Sequence, residues 1–243
     1  MKKLCFLLDP SKKEVEQVFG ACCLLKDIVG EKFIEDNIEF WVGCTTASGH
    51  QIRDWVLKLR KEVIGPRVIF PGKVSQALLG YPHTDYLMAI HLLNWSKKSV
   101  FIEDLLGLVL TKLFSKRIDL GYLVLSSDST IGRRVGAKNL NLTQALTYLK
   151  KYLHKHPSAP SIYLEAGSGA SRTVSLSLVK KVHKLLKKYE SSCLIVAGGI
   201  RNKKTAEKFF RAGADKILIS TILEQSTVEK SLKVMLEFLS LVK

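Results

Sequence analysis

Residues 163–169 read Tyr-Leu-Glu-Ala-Gly-Ser-Gly, and residues 196–202 read Val-Ala-Gly-Gly-Ile-Arg-Asn. In both stretches glycines follow directly on an apolar run. Glu165 lies inside the first run, between Leu164 and Ala166, where a charge is costly unless it is paired or used. In use, it would accept a proton from a hydroxyl or hydrogen-bond a polyol. A buried ion pair with a lysine is the structural alternative. The glycines permit positive φ and close backbone approach, and free N–H groups at helix starts beyond such turns hold anions. Tight turning alone is their other explanation. Asp9 ends a third apolar run, just before Pro10. It is either a cap for the next helix or an oxygen ligand for Mg²⁺, which is usually held by one or two carboxylates plus substrate phosphates. Thr45, after a neighbouring apolar run, offers a second oxygen.

Eight apolar runs must position these groups: 3–9, 39–44, 67–70, 85–90, 121–126, 161–166, 193–198 and 216–220. Their apolar residues run on continuously rather than alternating, as in strands buried on both faces of a parallel sheet. Helix-period segments lie between them. Ser48 is a candidate N-cap for the segment 48–63, and further segments cover 171–189, 202–213 and 224–242. The stretch 71–82 is short and holds Pro71 and Gly80, so it reads as a loop or a degenerate helix. Eight βα repeats over 1–243 predict a single-domain (β/α)8 TIM barrel, modified by a shortened or missing third helix. An open doubly wound sheet is the second choice.

In such a barrel the active site lies at the carboxyl ends of the strands. That rim collects Asp9, Thr45, His91, Asn94, Glu165, the glycines at 167, 169, 198 and 199, then Ser220 and Thr221. Phosphate sites are common after strands seven and eight, where Gly198, Gly199, Ser220 and Thr221 stand. His154 and His156, in the loop before the sixth strand, are expected to be solvated rather than metal-binding.

The formal net charge is +16, from 38 Lys+Arg against 22 Asp+Glu. That favours anionic partners, but in 180–190 the lysines alternate with apolar residues as on a solvated helix face. Only 8% of residues are aromatic, which argues against a nucleic-acid binder built on stacking. The five cysteines form no CxxC pair and are expected to be reduced core thiols, as in a cytoplasmic protein. The apolar start of the chain is too short for a signal peptide. The segment 105–114 falls well short of the roughly 20 residues that span a bilayer.

The block Tyr163 to Ala170 followed by Gly198 to Arg201 resembles the geranylgeranylglyceryl phosphate synthase family, which includes heptaprenylglyceryl phosphate synthases. Leu7 to Lys12, Val42 to Thr45, Val68 to Gly72 and the stretch from Asp85 to Asn94 are similar to it too. The resemblance implies a modified TIM barrel that transfers a polyprenyl group, such as geranylgeranyl, from its diphosphate to the C3 hydroxyl of sn-glycerol 1-phosphate, with Mg²⁺. It implies Asp9 and Thr45 as metal ligands and Glu165 as the catalytic group. Tyr163, Leu164, Glu165, Ala166, Gly167, Ser168, Gly169, Gly198, Gly199, Ser220 and Thr221 would hold glycerol phosphate. A homo-oligomer is implied as well. Phe70, Tyr81, Leu92 and Trp95 are candidates for the wall of a prenyl groove; Lys12, Lys73, Arg133 and Arg134 are candidates for added positive charge. The chain departs from the family pattern at Ser11, at Cys44 and at Ser220-Thr221, where the family has glycine followed by Asn or Thr. Another phosphate-binding TIM-barrel enzyme, of the phosphosugar isomerase type, and a non-catalytic anion-binding barrel are the alternatives. A Schiff-base aldolase would need a lysine inside a strand, and the runs hold only Lys3 and Lys216, both at their starts.

Overall fold

Eight parallel strands run in chain order around a closed barrel in the computed structural model. It describes residues 2–44, 46–63, 65–96, 114–158, 160–167 and 173–242. The strands are β1 (Lys3–Leu8), β2 (Ile38–Val42), β3 (Arg67–Ile69), β4 (Tyr86–Leu92), β5 (Arg117–Val124), β6 (Ser161–Glu165), β7 (Cys193–Ala197) and β8 (Lys216–Ile219). The described helices are α1 (Val15–Val29), α2 (Glu31–Asn37), α3 (Gly49–Glu62), α4 (Val74–Gly80), α5 (Thr130–Val135), α6 (Leu142–Lys155), α7 (Leu176–Leu186), α8 (Lys203–Ala212) and α9 (Val228–Leu239). The helix after β3 is α4, only seven residues long, so the third helix is shortened rather than missing. No helix among the described residues is long and apolar enough to cross a membrane.

Two compact units emerge, one centred on Asp119–Leu218 and the other on Lys3–Met88 with Ile219–Lys243. In the first, β6 pairs with β5 and β7 in register, Tyr163 lying between Tyr122 and Ile195. All five β6 residues are buried, which is why the run reads as continuously apolar. Two helices of this unit start at side-chain caps. Asn141 and Gln144 form a capping box at α6, and Asn202 caps α8; each satisfies an N–H that helix geometry leaves open.

Asn94 belongs to this unit and stitches its strands. Its side-chain N–H donates to the Val124 carbonyl at 2.6 Å and its Oδ1 accepts the Val124 N–H at 3.0 Å. It thus acts as a strand residue would, just past the end of β4. His156 corrects an expectation: it is half-buried rather than solvated. Its ring stacks on Tyr152 and meets His91, each at 4.5 Å, and burial, with His91 beside it, lowers its pKa. His154 is exposed as expected.

In the second unit β1 pairs with β2, and β2 with β3. At the amino ends of β1 and β2, buried Glu39 accepts from the Trp41 indole N–H at 3.1 Å, and the Cys5 thiol lies 3.7 Å away. Ser48 caps α3 through a capping box with Gln51. All five cysteines are free, but only Cys5 and Cys22 are buried; Cys23, Cys44 and Cys193 are half-exposed.

Candidate active site

Strand side chains alternate between faces, so β6 puts Tyr163 and Glu165 on one face and Leu164 on the other. Leu164 can therefore offer a ligand only its backbone. The Tyr163 hydroxyl donates to Glu165 Oε2 at 2.7 Å, and the Gly167 N–H donates to Oε1 at 2.5 Å. Each carboxylate oxygen thus has one fixed donor and keeps a further lone pair. These partners are neutral donors, not the lysine of the ion-pair alternative. Burial raises the Glu165 pKa, and the two hydrogen bonds oppose that rise. Behind this pair the Tyr122 ring meets Tyr163 edge-on at 4.9 Å. Burial, with the Glu165 charge nearby, pushes the Tyr122 hydroxyl well up, so it stays neutral.

The glycine turns pack against this carboxylate. Gly198 has φ +84°, and a Cβ there would lie 2.4 Å from the Gly167 nitrogen and 2.6 Å from Glu165 Oε1. Gly199 also has positive φ, at 68°. Among the described residues no backbone acceptor takes the Gly198 or Gly199 N–H, and Gly198 packs closely against Glu165. A Cβ on Gly167 would lie 2.0 Å from the Ser129 Cβ. Ser129 is itself fixed: it donates to the Ser126 carbonyl at 2.9 Å and accepts from the Gly132 N–H at 3.0 Å. Ala166 is buried, with its N–H on the Ala197 carbonyl at 3.0 Å. Ser168 and Gly169 lie outside the described residues. Arg133 donates to the Asp128 carbonyl, and Arg201 is exposed at the start of the loop into α8.

The second unit holds the remaining predicted residues. Asp9 Oδ1 accepts the Ser11 N–H at 2.9 Å and the Ser11 hydroxyl at 2.6 Å. It does not cap the next helix: the N-cap of α1 is Glu14, without a side-chain cap bond. Ser220 and Thr221 follow β8, and Thr221–Leu223 forms a 3-10 turn. That turn brings in a group the sequence did not single out. The Ser220 hydroxyl donates to Glu224 Oε1 at 3.3 Å, and Lys12 Nζ lies 3.8 Å from Glu224 Oε2. Burial raises the Glu224 pKa and the Asp9 charge adds to the rise, while Lys12 and the serine hydroxyl oppose it. Cys44 serves its own turn, its sulfur accepting the Ala47 N–H at 3.0 Å. Thr45 lies outside the described residues.

The donor set can be tested against Mg²⁺. No group of three or more His, Cys, Asp or Glu among the described residues is placed to hold a metal. Asp9 by itself fits the habit of Mg²⁺, which keeps waters and substrate phosphates and needs few protein carboxylates. Of the groove candidates, Tyr81 stacks on Phe114 at 4.0 Å and Phe70 packs on Trp41 at 5.5 Å. Trp95 lines a pocket of about 550 Å³ with Leu140, Tyr148 and Lys151.

Residues 2–239 match the model of the PcrB family. The chain belongs to the PcrB family. It is 32% identical over 189 residues to the geranylgeranylglyceryl phosphate synthase of Methanosarcina acetivorans, covering 75% of this chain and 73% of the relative. It is 28% identical over 240 residues to the synthase of the same name from Sulfurisphaera tokodaii, covering 95% and 90%. This PcrB chain also superposes on the crystal structure of (S)-3-O-geranylgeranylglyceryl phosphate synthase from Thermoplasma acidophilum in complex with its substrate sn-glycerol-1-phosphate. There the TM-score is 0.80 and the identity 23%, with 100% of this chain and 93% of that one covered. At that identity the likeness speaks for the fold.

Proposed function

We propose that this PcrB protein joins a polyprenyl group, geranylgeranyl by preference, to the C3 hydroxyl of sn-glycerol 1-phosphate and releases diphosphate, a step of ether-lipid synthesis. The carrying observation is Glu165: a buried carboxylate, fixed by Tyr163 and Gly167, against which the positive-φ glycine turn at Gly198 packs. A carboxylate of raised pKa at the foot of an anion-binding turn suits a substrate that has a hydroxyl at one end and a phosphate at the other.

In the reaction the C3 oxygen forms a bond to C1 of the prenyl chain, the bond from C1 to diphosphate breaks, and the hydroxyl proton passes to Glu165. Tyr163 and Gly167 occupy one lone pair on each carboxylate oxygen and so fix which lone pairs face the glycerol. Held in that geometry, hydroxyl and carbon meet with little entropy left to lose. The backbone N–H groups at 198–199 and at 220–221 hold the phosphate, as preorganised donors do in a site of low dielectric. Asp9, with Thr45, would hold Mg²⁺, which when bound would stabilise the negative charge of the departing diphosphate. Lys73 adds positive charge for the same anion. Leu92 and Trp95 contribute to the apolar wall for the chain. The protein works in the cytoplasm as a homo-oligomer and takes no nucleic acid.

Incubation of the full chain with radiolabelled sn-glycerol 1-phosphate and prenyl diphosphates of several lengths, with and without Mg²⁺, tests this reading. The expected result is a prenylated glycerol phosphate that forms only when Mg²⁺ is present. Folded protein that forms no such product with any chain length overturns it.

A further inference from the structure

The turn after β8 holds a carboxylate where an anion is expected to bind. Glu224 takes the Ser220 hydroxyl on Oε1 at 3.3 Å and the Lys12 ammonium on Oε2 at 3.8 Å. Its side chain is 12% exposed, whereas that of Lys12 is 44% exposed. The backbone fixes it as well: the Glu224 N–H donates to the Thr221 carbonyl at 3.3 Å, and the Leu223 N–H to the Ser220 carbonyl at 2.7 Å. Glu224 is therefore not a surface side chain that reaches in; the 3-10 turn sets it there. The added hydroxyl of Ser220, which a glycine would lack, has a partner on this carboxylate.

We infer that Glu224 is a specificity-determining residue, a resident anion that occupies the hydroxyl and ammonium donors of the eighth-strand turn in place of a substrate phosphate. The inference rests on the reading that the phosphate of glycerol phosphate lies on Ser220 and Thr221. Two effects compete. By holding Lys12, Glu224 pre-positions a cation, which helps an anion bind. By its own negative charge it repels that anion. An exposed lysine pair contributes little, while a partly buried charge a few ångströms from a phosphate acts through a reduced dielectric. Repulsion wins, so Glu224 lowers the affinity of the turn for phosphate. A free inorganic phosphate must displace the carboxylate without the contacts that the glycerol end of the substrate makes. A substrate whose glycerol end is also held tolerates it.

Isothermal titration of the full chain with inorganic phosphate and with sn-glycerol 1-phosphate tests this in the wild type, Glu224→Gln and Glu224→Ala. Both variants remove the charge, one at conserved volume and one not, so either reads the effect if the other fails to fold. The expected result is phosphate binding about tenfold tighter than in the wild type, with a lower KM for glycerol phosphate and a smaller change in KM for the prenyl diphosphate. A purely structural role would weaken binding, so the direction itself discriminates. Unchanged or weaker phosphate binding in a variant with the wild-type melting temperature overturns the inference. If the wild type makes no ether product but Glu224→Gln still binds phosphate more tightly, the functional reading fails and the role of Glu224 stands.

Discussion

Glu165 was legible because its type conflicts with its setting: a carboxylate within an apolar run demands a partner or a task. Which partner was not legible. Tyr163 and Gly167 reach it only because β6 turns residues 163 and 165 to one side and the chain then folds back at Gly167. Glu224 carried no such signal, since it stands in a polar stretch where a glutamate is ordinary. Only the 3-10 turn after β8 brings it to Ser220 and Lys12. For Glu165 the sign of the pH effect is fixed by burial, which raises its folded pKa. The stability a raised acid contributes is full below its unfolded pKa and is lost as pH rises through the folded one. Glu165→Gln removes that loss, and its amide can still accept the Gly167 N–H and donate to the Tyr163 oxygen. The variant should melt higher than the wild type at neutral pH, with the difference shrinking at acid pH, while turnover falls about 10²–10⁴-fold. Calorimetry and the product assay read the two effects. The same pKa places the acid limb of the wild-type rate profile above the ordinary glutamate range, with activity climbing as pH rises through it. A Glu165→Gln protein with full turnover would remove Glu165 from the mechanism.

Strands and helices were legible to the extent that apolar runs mark their buried parts. β5 shows where that fails. Its apolar run starts at Gly121, but the strand begins at Arg117, because Arg117 and Asp119 lie at its amino end, where polar side chains are tolerated. α4 shows the converse: Gly80 ends the segment, yet a helix forms over Val74–Gly80. Asn94 read as a rim residue of possible function, but its two bonds to Val124 make it a joint between the end of β4 and β5. Asn94→Ala leaves the Val124 N–H and carbonyl without those partners, and unsatisfied buried groups cost about 1–3 kcal/mol each. The expected loss of 2–4 °C in melting temperature per kcal/mol is measurable by calorimetry, and an unchanged midpoint would show that water replaces the joint. Gly198 makes the case for a turn. Alanine at φ +84° is strained by roughly 1–2 kcal/mol, and its Cβ would press on Gly167 and the Glu165 carboxylate. Gly198→Ala should therefore lose most of its turnover and raise KM for glycerol phosphate, more than Gly199→Ala does. Equal effects in a kinetic comparison would mean that φ, not the approach to Glu165, is what matters.

Over the whole chain the net charge of +16 has to be reconciled with a fold and with anionic substrates. The sequence suggested solvated helix faces, and α7 bears this out. Lys180, Lys181 and Lys184 are exposed, while Leu178, Val179, Val182 and Leu186 are buried on the other side. The ion pairs formed by the described residues are mostly exposed, such as Lys32–Asp36 and Lys61–Glu62, and pairs of that kind contribute little. With 38 cationic side chains against 22 acidic ones, repulsion among lysines outweighs attraction within pairs, and self-repulsion works against the compact state. Salt then acts in two directions. Raising it from about 10 mM to about 150 mM shortens the screening length from about 30 Å to about 8 Å, which relieves repulsion between lysines on neighbouring helices. The same screening weakens the long-range pull on phosphate and diphosphate. The melting temperature should rise over this range while KM for both substrates rises with it, in one protein and one buffer series. A melting temperature that falls with salt would mean that attractive pairs dominate the surface, and the excess of lysine would then need a bound polyanion to explain it.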